Sequence, residues 1–257
     1  MTDLLIITSC IKPVKQDYLK LNDWEARYKQ TIESLKFYVL SGCFANIVIC
    51  DGSGFDLSED DIVLFAQKHN VTIEALAFMQ NFEQVKSQGK GFGEGEIMKY
   101  IVSNSQLYKK SESFIKVTGR LIIRNINAIV ERLIADRIYF NIIVSKVKGS
   151  VDTRVYAMPT SVYNSFLLDA YTKVNDNIGQ TYEIIFGNIF LTSGLKYKAL
   201  PKVPIICGYS GTDNKLYKKD ATYYASVLLT KFGLMNSNIA LLILGVIKVF
   251  VKFFKKV

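Results

Sequence analysis

The chain has 257 residues, of which 49% are hydrophobic and 21% are charged. This length and composition exclude a disordered or fibrous protein and predict one large domain, or two small ones, with a buried core. The formal net charge is +9, but residues 1–195 carry 21 basic and 21 acidic side chains, whereas residues 196–257 carry eleven lysines against two aspartates. The sequence therefore indicates a neutral body, 1–195, and a basic C-terminal segment, 196–257.

The cysteine and histidine content argues against several kinds of disulfide and metal site. The four cysteines show no C-x-x-C spacing, which argues against a disulfide scaffold or a zinc site. The N-terminus has no basic start and only a short apolar run, so we expect a cytoplasmic protein without a secretory signal. The single histidine, His69, excludes a multi-histidine metal centre. It lies at the C-terminal end of a predicted helix, where a structural role is favoured over catalysis.

Short apolar runs alternate with longer amphipathic stretches, a pattern that predicts an α/β fold with a mostly parallel sheet flanked by helices. The predicted strands are 4–8, 46–50, 71–76, 114–117, 138–144 and 155–158. The predicted helices are 23–40, 58–70, 97–108, 127–137, 161–174 and 181–191.

Small and polar side chains follow the first two strands. Thr8 and Ser9 end the first strand, and Asp51 and Ser53 follow the second. Ligands of open α/β sheets bind beyond the carboxyl ends of the strands. We therefore expect these residues to bind a nucleoside, although an ordinary strand-to-loop turn would have the same composition.

A glycine-rich run, Gly89 to Glu96, precedes the predicted helix 97–108. Alternating glycines before a helix expose backbone N–H groups, so Gly91 and Gly93 could cradle a diphosphate in a flexible loop that closes over it. A plain surface loop is the alternative. The run matches neither a Walker loop nor the dinucleotide fingerprint, which would follow the first strand.

The strand 46–50 followed by Asp51-Gly52-Ser53 resembles the "strand, then D-G-S" element of nucleotide-sugar glycosyltransferases with the GT-A fold. The stretches KGFGEGEIMKYIVSNS and FIKVTGRLIIRN resemble those of bacterial transferases that build O-antigen or capsule. The resemblance implies a GT-A-like (Rossmann-like) catalytic domain over 1–195, with Asp51 on the donor nucleoside. It also implies a hexosyl transfer from a nucleotide-diphosphate donor to a lipid-linked glycan acceptor in lipopolysaccharide or capsule synthesis.

The Asp-x-Asp metal motif of that family is absent from the chain. Glu94 and Glu96 could replace it as ligands of Mn²⁺ or Mg²⁺, or they could be ordinary acids at a helix start. The leaving diphosphate needs positive charge in either case.

Basic residues near a predicted turn could supply that charge. Lys116 lies near a strand end, Gly119 permits a sharp turn, and Arg120 presents a planar fork to phosphate oxygens. Arg154 is a further donor-binding candidate. Two solvated cations beside a turn are the alternative for Lys116 and Arg120.

An inverting sugar transfer also needs a carboxylate that accepts the proton of the attacking hydroxyl. The candidates are Asp152, between a glycine turn and a predicted strand, and Glu183, in the first turn of a predicted helix. Each could instead be a structural acid of a turn or a helix start.

The C-terminal segment is apolar over 239–247 and amphipathic afterwards, with lysines at 248, 252, 255 and 256. Interior lysines argue against a membrane span, and an interfacial helix on the anionic inner face of the cell membrane fits better. A helix packed on the core is one alternative. Another is a nucleic-acid-binding tail, in which Tyr209, Tyr217, Tyr223 and Tyr224 stand among lysines. The apolar run has no use in a polynucleotide groove, so we expect no nucleic acid.

Overall fold

The computed structural model describes residues 4–13, 23–143, 149–209 and 216–254. The strands within these residues are β1 (Leu4–Ser9), β2 (Asn46–Asp51), β3 (Thr72–Ala77), β4 (Ser113–Thr118), β5 (Ile122–Ile123), β6 (Ile138–Tyr139), β7 (Val155–Pro159), β8 (Tyr197–Lys198) and β9 (Ile206–Cys207). The α-helices are α1 (Trp24–Leu40), α2 (Asp61–Lys68), α3 (Phe82–Gln88), α4 (Lys90–Asn104), α5 (Gln106–Lys110), α6 (Ile126–Val130), α7 (Thr160–Val162), α8 (Tyr182–Ser193), α9 (Ala221–Lys231) and α10 (Asn238–Phe254).

Seven of the described strands form the central sheet in the order β3-β2-β1-β4-β7-β6-β8. The pairs β1–β2, β1–β4, β2–β3 and β6–β8 are parallel, whereas β7 runs antiparallel to β4 and β6. Strands β5 and β9 pair in a separate two-stranded sheet. The predicted α/β class, with a mostly parallel sheet flanked by helices, is confirmed.

Successive side chains of a strand point to opposite faces of the sheet, and both faces are buried here. Leu5 and Ile7 of β1 face a cluster that includes side chains of α1 and α2, whereas Leu4 and Ile6 face a cluster that includes side chains of α4 and α8.

The first two helices begin at aspartate N-caps. Asp23 accepts from the amides of Glu25 and Ala26 at the start of α1, and Asp60 accepts from the amide of Ile62 at the start of α2, which the sequence predicts from residue 58.

The glycine-rich run is helical, which corrects the expected loop. Helix α4 begins at Lys90, directly after Gly89, whose φ of 104° ends α3. Gly91 and Gly95 lie one helical turn apart, and an added Cβ at either position would press on Tyr182 or Tyr171. These glycines therefore serve close packing of α4 and not loop flexibility.

Two predicted elements are shorter in the structure. Helix α6 ends at Val130, where the sequence predicts helix to 137, and the amide of Ile134 donates to the Tyr139 hydroxyl (3.3 Å). Strand β6 ends at Tyr139, and an isolated antiparallel bridge pairs Ile142 with Val151, while the amide of Ile142 donates to the Asn236 side chain at 3.1 Å. The predicted extension reaches Val144, which lies outside the described residues.

The predicted helix 161–174 is not continuous. It is divided into α7, a π-helical turn over Tyr163–Leu167 and a 3₁₀ turn over Ala170–Lys173. The amide of Leu168 bonds the carbonyl of Tyr163, a five-residue step that widens the helix. This path buries Tyr163 and Leu167 completely.

Residues 196–257 contact the body at several places. They supply β8 to the central sheet and β9 to the two-stranded sheet. The hairpin of α9 and α10 is held by a small third cluster, Ile142, Leu229, Met235, Ala240 and Leu244. No helix in the described part of the chain has the length and apolarity to cross a bilayer. Lys215, Lys255, Lys256 and the side chain of Lys252 lie outside what the structure describes.

Candidate functional site

A cleft of about 430 Å³ lies at the carboxyl ends of β1 and β4. Parallel strands of an α/β sheet place their ligands at this end. The cleft brings together nine residues predicted from the sequence: Thr8, Ser9, Gly93, Glu94, Gly119, Arg120, Asp152, Arg154 and Glu183.

The β4 turn sets the floor of the cleft. The amide of Gly119 donates to the carbonyl of Thr8 at 2.8 Å, and a Cβ at Gly119 would collide with that oxygen. Arg120 follows with φ of 67°, a conformation rare for a residue with a side chain. Its Nη1 donates to the Gln30 side chain at 3.1 Å. Burial, with nearby Arg27, lowers the pKa of Arg120 to about 10.

Arg27 is a cleft residue that the sequence analysis missed. Its Nε and Nη2 donate to the carbonyl of Cys10 at 2.8 and 2.5 Å. It is 6% exposed, and burial lowers its pKa. No sequence signal marks it, because the position of Arg27 on the buried stripe of α1, with Thr31 and Ser34, follows only from the fold.

Asp152 and Arg154 form a two-point ion pair on the strand side of the cleft. Nε and Nη2 of Arg154 donate to the two carboxylate oxygens at 2.9 and 2.7 Å. Burial acts to raise the pKa of Asp152, but the Arg154 charge and hydrogen bonds outweigh it, and the pKa is lowered. The guanidinium lies 5.2 Å from the ring centroid of Tyr217, a second missed residue.

Lys116 lies beneath the cleft and does not line it. Its side chain is fully buried and its Nζ donates to the Thr118 hydroxyl (2.9 Å) and the Thr153 carbonyl (3.1 Å), and forms an ion pair with Glu94. Burial lowers the pKa of Lys116 to about 7. Its position makes it a support for the cleft floor, and a contact between Lys116 and the donor stays a prediction.

The residues present do not fit the divalent ion that the resemblance implies. Because the glycine-rich run is helical, Glu94 and Glu96 lie two residues apart on α4 and point to different sides. Glu94 lines the cleft and is engaged by Lys116 and Thr118, whereas Glu96 does not line it. Burial raises the pKa of Glu96. The described residues contain no cluster of three metal-ligating side chains.

Glu183 lies in the first turn of α8 and lines the cleft. Its Oε1 accepts a 3.3 Å hydrogen bond from the hydroxyl of Thr153. It also borders a neighbouring pocket of about 380 Å³ that includes Gly91 and Glu94. Glu183 therefore presents a carboxylate where two pockets meet.

Asp51 and Ser53 do not line the cleft. The Asp51 carboxylate accepts from the amides of Ile11 (2.7 Å), Ser53 (2.8 Å) and Phe55 (3.3 Å) and from the Ser53 hydroxyl. The Ser53 hydroxyl in turn accepts from the amide of Lys12. Both side chains thus fasten the segment after β1, and a nucleoside contact by either remains a prediction.

Ser9 lines the cleft, and its Oγ is buried without a hydrogen-bond partner among the described residues. Buried polar groups are almost always paired, and a bond from this hydroxyl to the donor stays a prediction.

Solved structures with a similar fold include glycosyltransferases. The glycosyltransferase GlyE of Streptococcus pneumoniae TIGR4 matches 77% of this chain at 10% identity with a TM-score of 0.50. A protein assigned as a nucleotide-diphospho-sugar transferase of Desulfovibrio desulfuricans G20 gives 11% identity and a TM-score of 0.45, over 78% of this chain and 80% of its own. Core-mannan synthase A of Aspergillus fumigatus, in its Mn/GDP form, gives 10% identity and 0.42, over 90% of this chain and 82% of its own.

This chain spans just under half the length of GlyE, 46%. No protein-family model matches the sequence, and no curated protein matches it. The likeness to GlyE, together with the strand order, defines the architecture: the chain has a GT-A-like nucleotide-sugar transferase fold.

Proposed function

We propose that this protein is a glycosyltransferase that moves a hexosyl group from a nucleotide-diphosphate sugar to an acceptor hydroxyl. The observation that carries the proposal is the cleft at the ends of β1 and β4, which Arg27, Arg120 and Arg154 all line. A dianionic diphosphate is the ligand that three guanidinium groups at a strand end suit best. The GT-A-like fold supports the same reading.

In this mechanism, Arg120 and Arg154 stabilise the charge that develops on the leaving diphosphate. The acceptor oxygen forms a bond to the anomeric carbon, the bond between that carbon and the diphosphate oxygen breaks, and the electron pair leaves with the nucleoside diphosphate. Fixed cations placed before the reaction lower the barrier because they need no reorganisation. Ser9 would satisfy its unpaired hydroxyl on the donor.

Glu183 is the better base for the acceptor proton. Asp152 is held by both bonds of Arg154, which favour its ionised form and make it a weak proton acceptor. Glu183 accepts one long bond from Thr153 and retains a free lone pair for an acceptor hydroxyl. Asp152 then serves to orient Arg154.

A lipid-linked glycan acceptor of lipopolysaccharide or capsule synthesis, met at the inner face of the cell membrane, is the finer proposal. The exposed apolar side chains of the α9–α10 hairpin support it: Val227, Leu228, Phe232, Leu242, Ile243, Val246, Val249 and Phe250. Lys231 ends α9 and Lys248 lies on α10. Apolar side chains with basic neighbours bind anionic bilayer surfaces.

Co-sedimentation with anionic vesicles tests the membrane proposal. Leu242→Glu with Phe250→Glu should abolish the binding, since both side chains are exposed, while Leu40→Glu and Leu64→Glu, exposed on α1 and α2, should leave it intact. Equal binding by both pairs would contradict it.

Thermal unfolding tests the donor site. A nucleotide that binds only the folded chain raises the midpoint temperature of unfolding. We expect a shift with one of UDP, GDP, CMP or dTDP, and none with a single-stranded oligonucleotide. A shift with the oligonucleotide alone would favour the nucleic-acid-binding alternative instead. Incubation of the matching nucleotide sugar with a lipid-linked acceptor should then release the free nucleotide.

A further inference from the structure

A second cavity, of about 580 Å³, lies beside the cleft and beneath the α9–α10 hairpin. Its apolar walls come from the segment after β6, the chain just before β9, the turn between α9 and α10, and α10 itself: Ile142, Val203, Ile205, Met235, Leu244 and Val251. A cavity with such walls suits a hydrocarbon chain.

The two cavities share a wall. Ile143, Asp152, Arg154 and Tyr217 line both of them. The stacked pair of Arg154 and Tyr217 therefore has the cleft on one side and the apolar cavity on the other. A molecule seated in the cavity would present its head within reach of the residues that face the donor.

Charge at the cavity is net positive. Lys218, Lys219 and Lys248 line it together with Arg154, whereas its acids are Asp152 and Asp220. Asp152 is paired with Arg154, and Asp220 accepts from the amides of Thr222 and Tyr223 at the start of α9. The lysines therefore favour an anionic head group.

We propose that this cavity, the hairpin cavity, binds the acceptor through its lipid end, and that the acceptor is a long-chain amphiphile with a phosphate or diphosphate head. The apolar walls hold the first part of the chain, and Lys218 and Lys219 bind the phosphate oxygens. The proposal rests on the proposed function for the role of acceptor, but the cavity and its charge exist without it.

Binding of farnesyl phosphate, below its micelle concentration, tests the hairpin cavity by calorimetry. Lys218→Glu with Lys219→Glu should weaken binding by about tenfold or more, since two attractive charges become repulsive. Lys109→Glu with Lys110→Glu makes the same charge change on α5, at the opposite end of the sheet, and should leave binding unchanged. Equal weakening by both pairs would overturn the proposal.

A cavity-filling variant separates the hairpin cavity from the exposed apolar face. Ser226 is a small buried residue in the cavity wall, and Ser226→Phe should remove farnesyl phosphate binding. If the variant is folded and still binds, the ligand lies elsewhere and the proposal fails. If it does not fold, the two lysine pairs decide.

Nucleotide binding, measured on the same variants, distinguishes the two proposals. Nucleotide shifts should persist in Lys218→Glu with Lys219→Glu. Nucleotide binding without farnesyl phosphate binding would overturn the hairpin cavity and leave the glycosyltransferase. Farnesyl phosphate binding without any nucleotide binding would overturn the glycosyltransferase and leave a lipid-phosphate site. Equal binding of farnesol would contradict a role for the lysines.

Discussion

The amide of Gly119 donates to the carbonyl of Thr8 at 2.8 Å, and this bond joins the ends of β4 and β1 at the floor of the cleft. Any side chain at Gly119 would strike the Thr8 oxygen. The turn that presents Arg120 therefore depends on a position without a Cβ.

Gly119→Ala should lower the free energy of unfolding by about 1–3 kcal/mol, because the new methyl group forces the two strand ends apart. Urea unfolding measures the loss. Gly245→Ala in α10 is the control: nothing lies within 4 Å of an added Cβ there, and the helix should be stabilised by up to about 1 kcal/mol. An unchanged free energy of unfolding in Gly119→Ala would contradict the close approach of Gly119 to the Thr8 oxygen.

Arg120→Ala should reduce kcat/KM for transfer by on the order of 100- to 1,000-fold, because the substitution removes a positive charge that stabilises the leaving diphosphate. The matched control is Arg124→Ala, an exposed arginine four residues later that does not line the cleft. Steady-state kinetics with the nucleotide sugar found by thermal unfolding measures both. An active Arg120→Ala protein would remove this residue from the site.

Asp152→Asn should lower the free energy of unfolding by about 1–3 kcal/mol at neutral pH. This is less than for a fully buried pair, because the Arg154 side chain is 35% exposed. The folded pKa of Asp152 is lowered, so its contribution is complete above the unfolded pKa of about 4 and is lost as pH falls below that value. The stability difference from wild type should therefore shrink in acid. Asp136→Asn, an exposed site, should show no such change.

Lys116→Met should differ from wild type in a pH-dependent way. The folded pKa of about 7 is below the unfolded value, so between pH 7 and about 10 the unfolded chain binds more protons at this group. Wild-type stability should rise relative to the variant across this range, by up to about 1.4 kcal/mol per pH unit. Urea unfolding at pH 6 to 9 measures the difference. Equal pH dependence of the unfolding free energy in the two proteins would show that Lys116 does not titrate in this pH range.

Glu183→Gln should lower kcat by on the order of 100-fold and leave nucleotide binding unchanged, because the amide cannot accept the acceptor proton. Glu112→Gln is a control at an exposed position beyond the other end of β4. A larger loss in Asp152→Asn than in Glu183→Gln, without weaker nucleotide binding, would transfer the role of base to Asp152.

Hydrophobic patterning predicted the central strands of the sheet, because β1, β2 and β4 are buried on both faces and stand out as apolar runs. It failed over the glycine-rich run, where glycine propensity indicates a loop. The tight packing of Gly95 against Tyr171, which favours helix there, joins residues distant in the chain.

The candidate site was predictable where a polar residue follows a strand, as for Ser9 and Arg120. It was not predictable where the partner comes from a separate element, as for Arg27 and Tyr217. The fate of Asp51 shows the same limit, since sequence cannot reveal that its carboxylate is taken up by the amides of Ile11 and Ser53.

The third hydrophobic cluster, which holds the α9–α10 hairpin, has five buried members, whereas the sheet lies between two much larger clusters. Local opening of the hairpin therefore costs less free energy than global unfolding, and its amides should exchange hydrogen with solvent well before those of β1 and β4. The elements that carry the exposed apolar side chains form a cooperative unit of their own. This unit can rearrange while the central sheet stays folded.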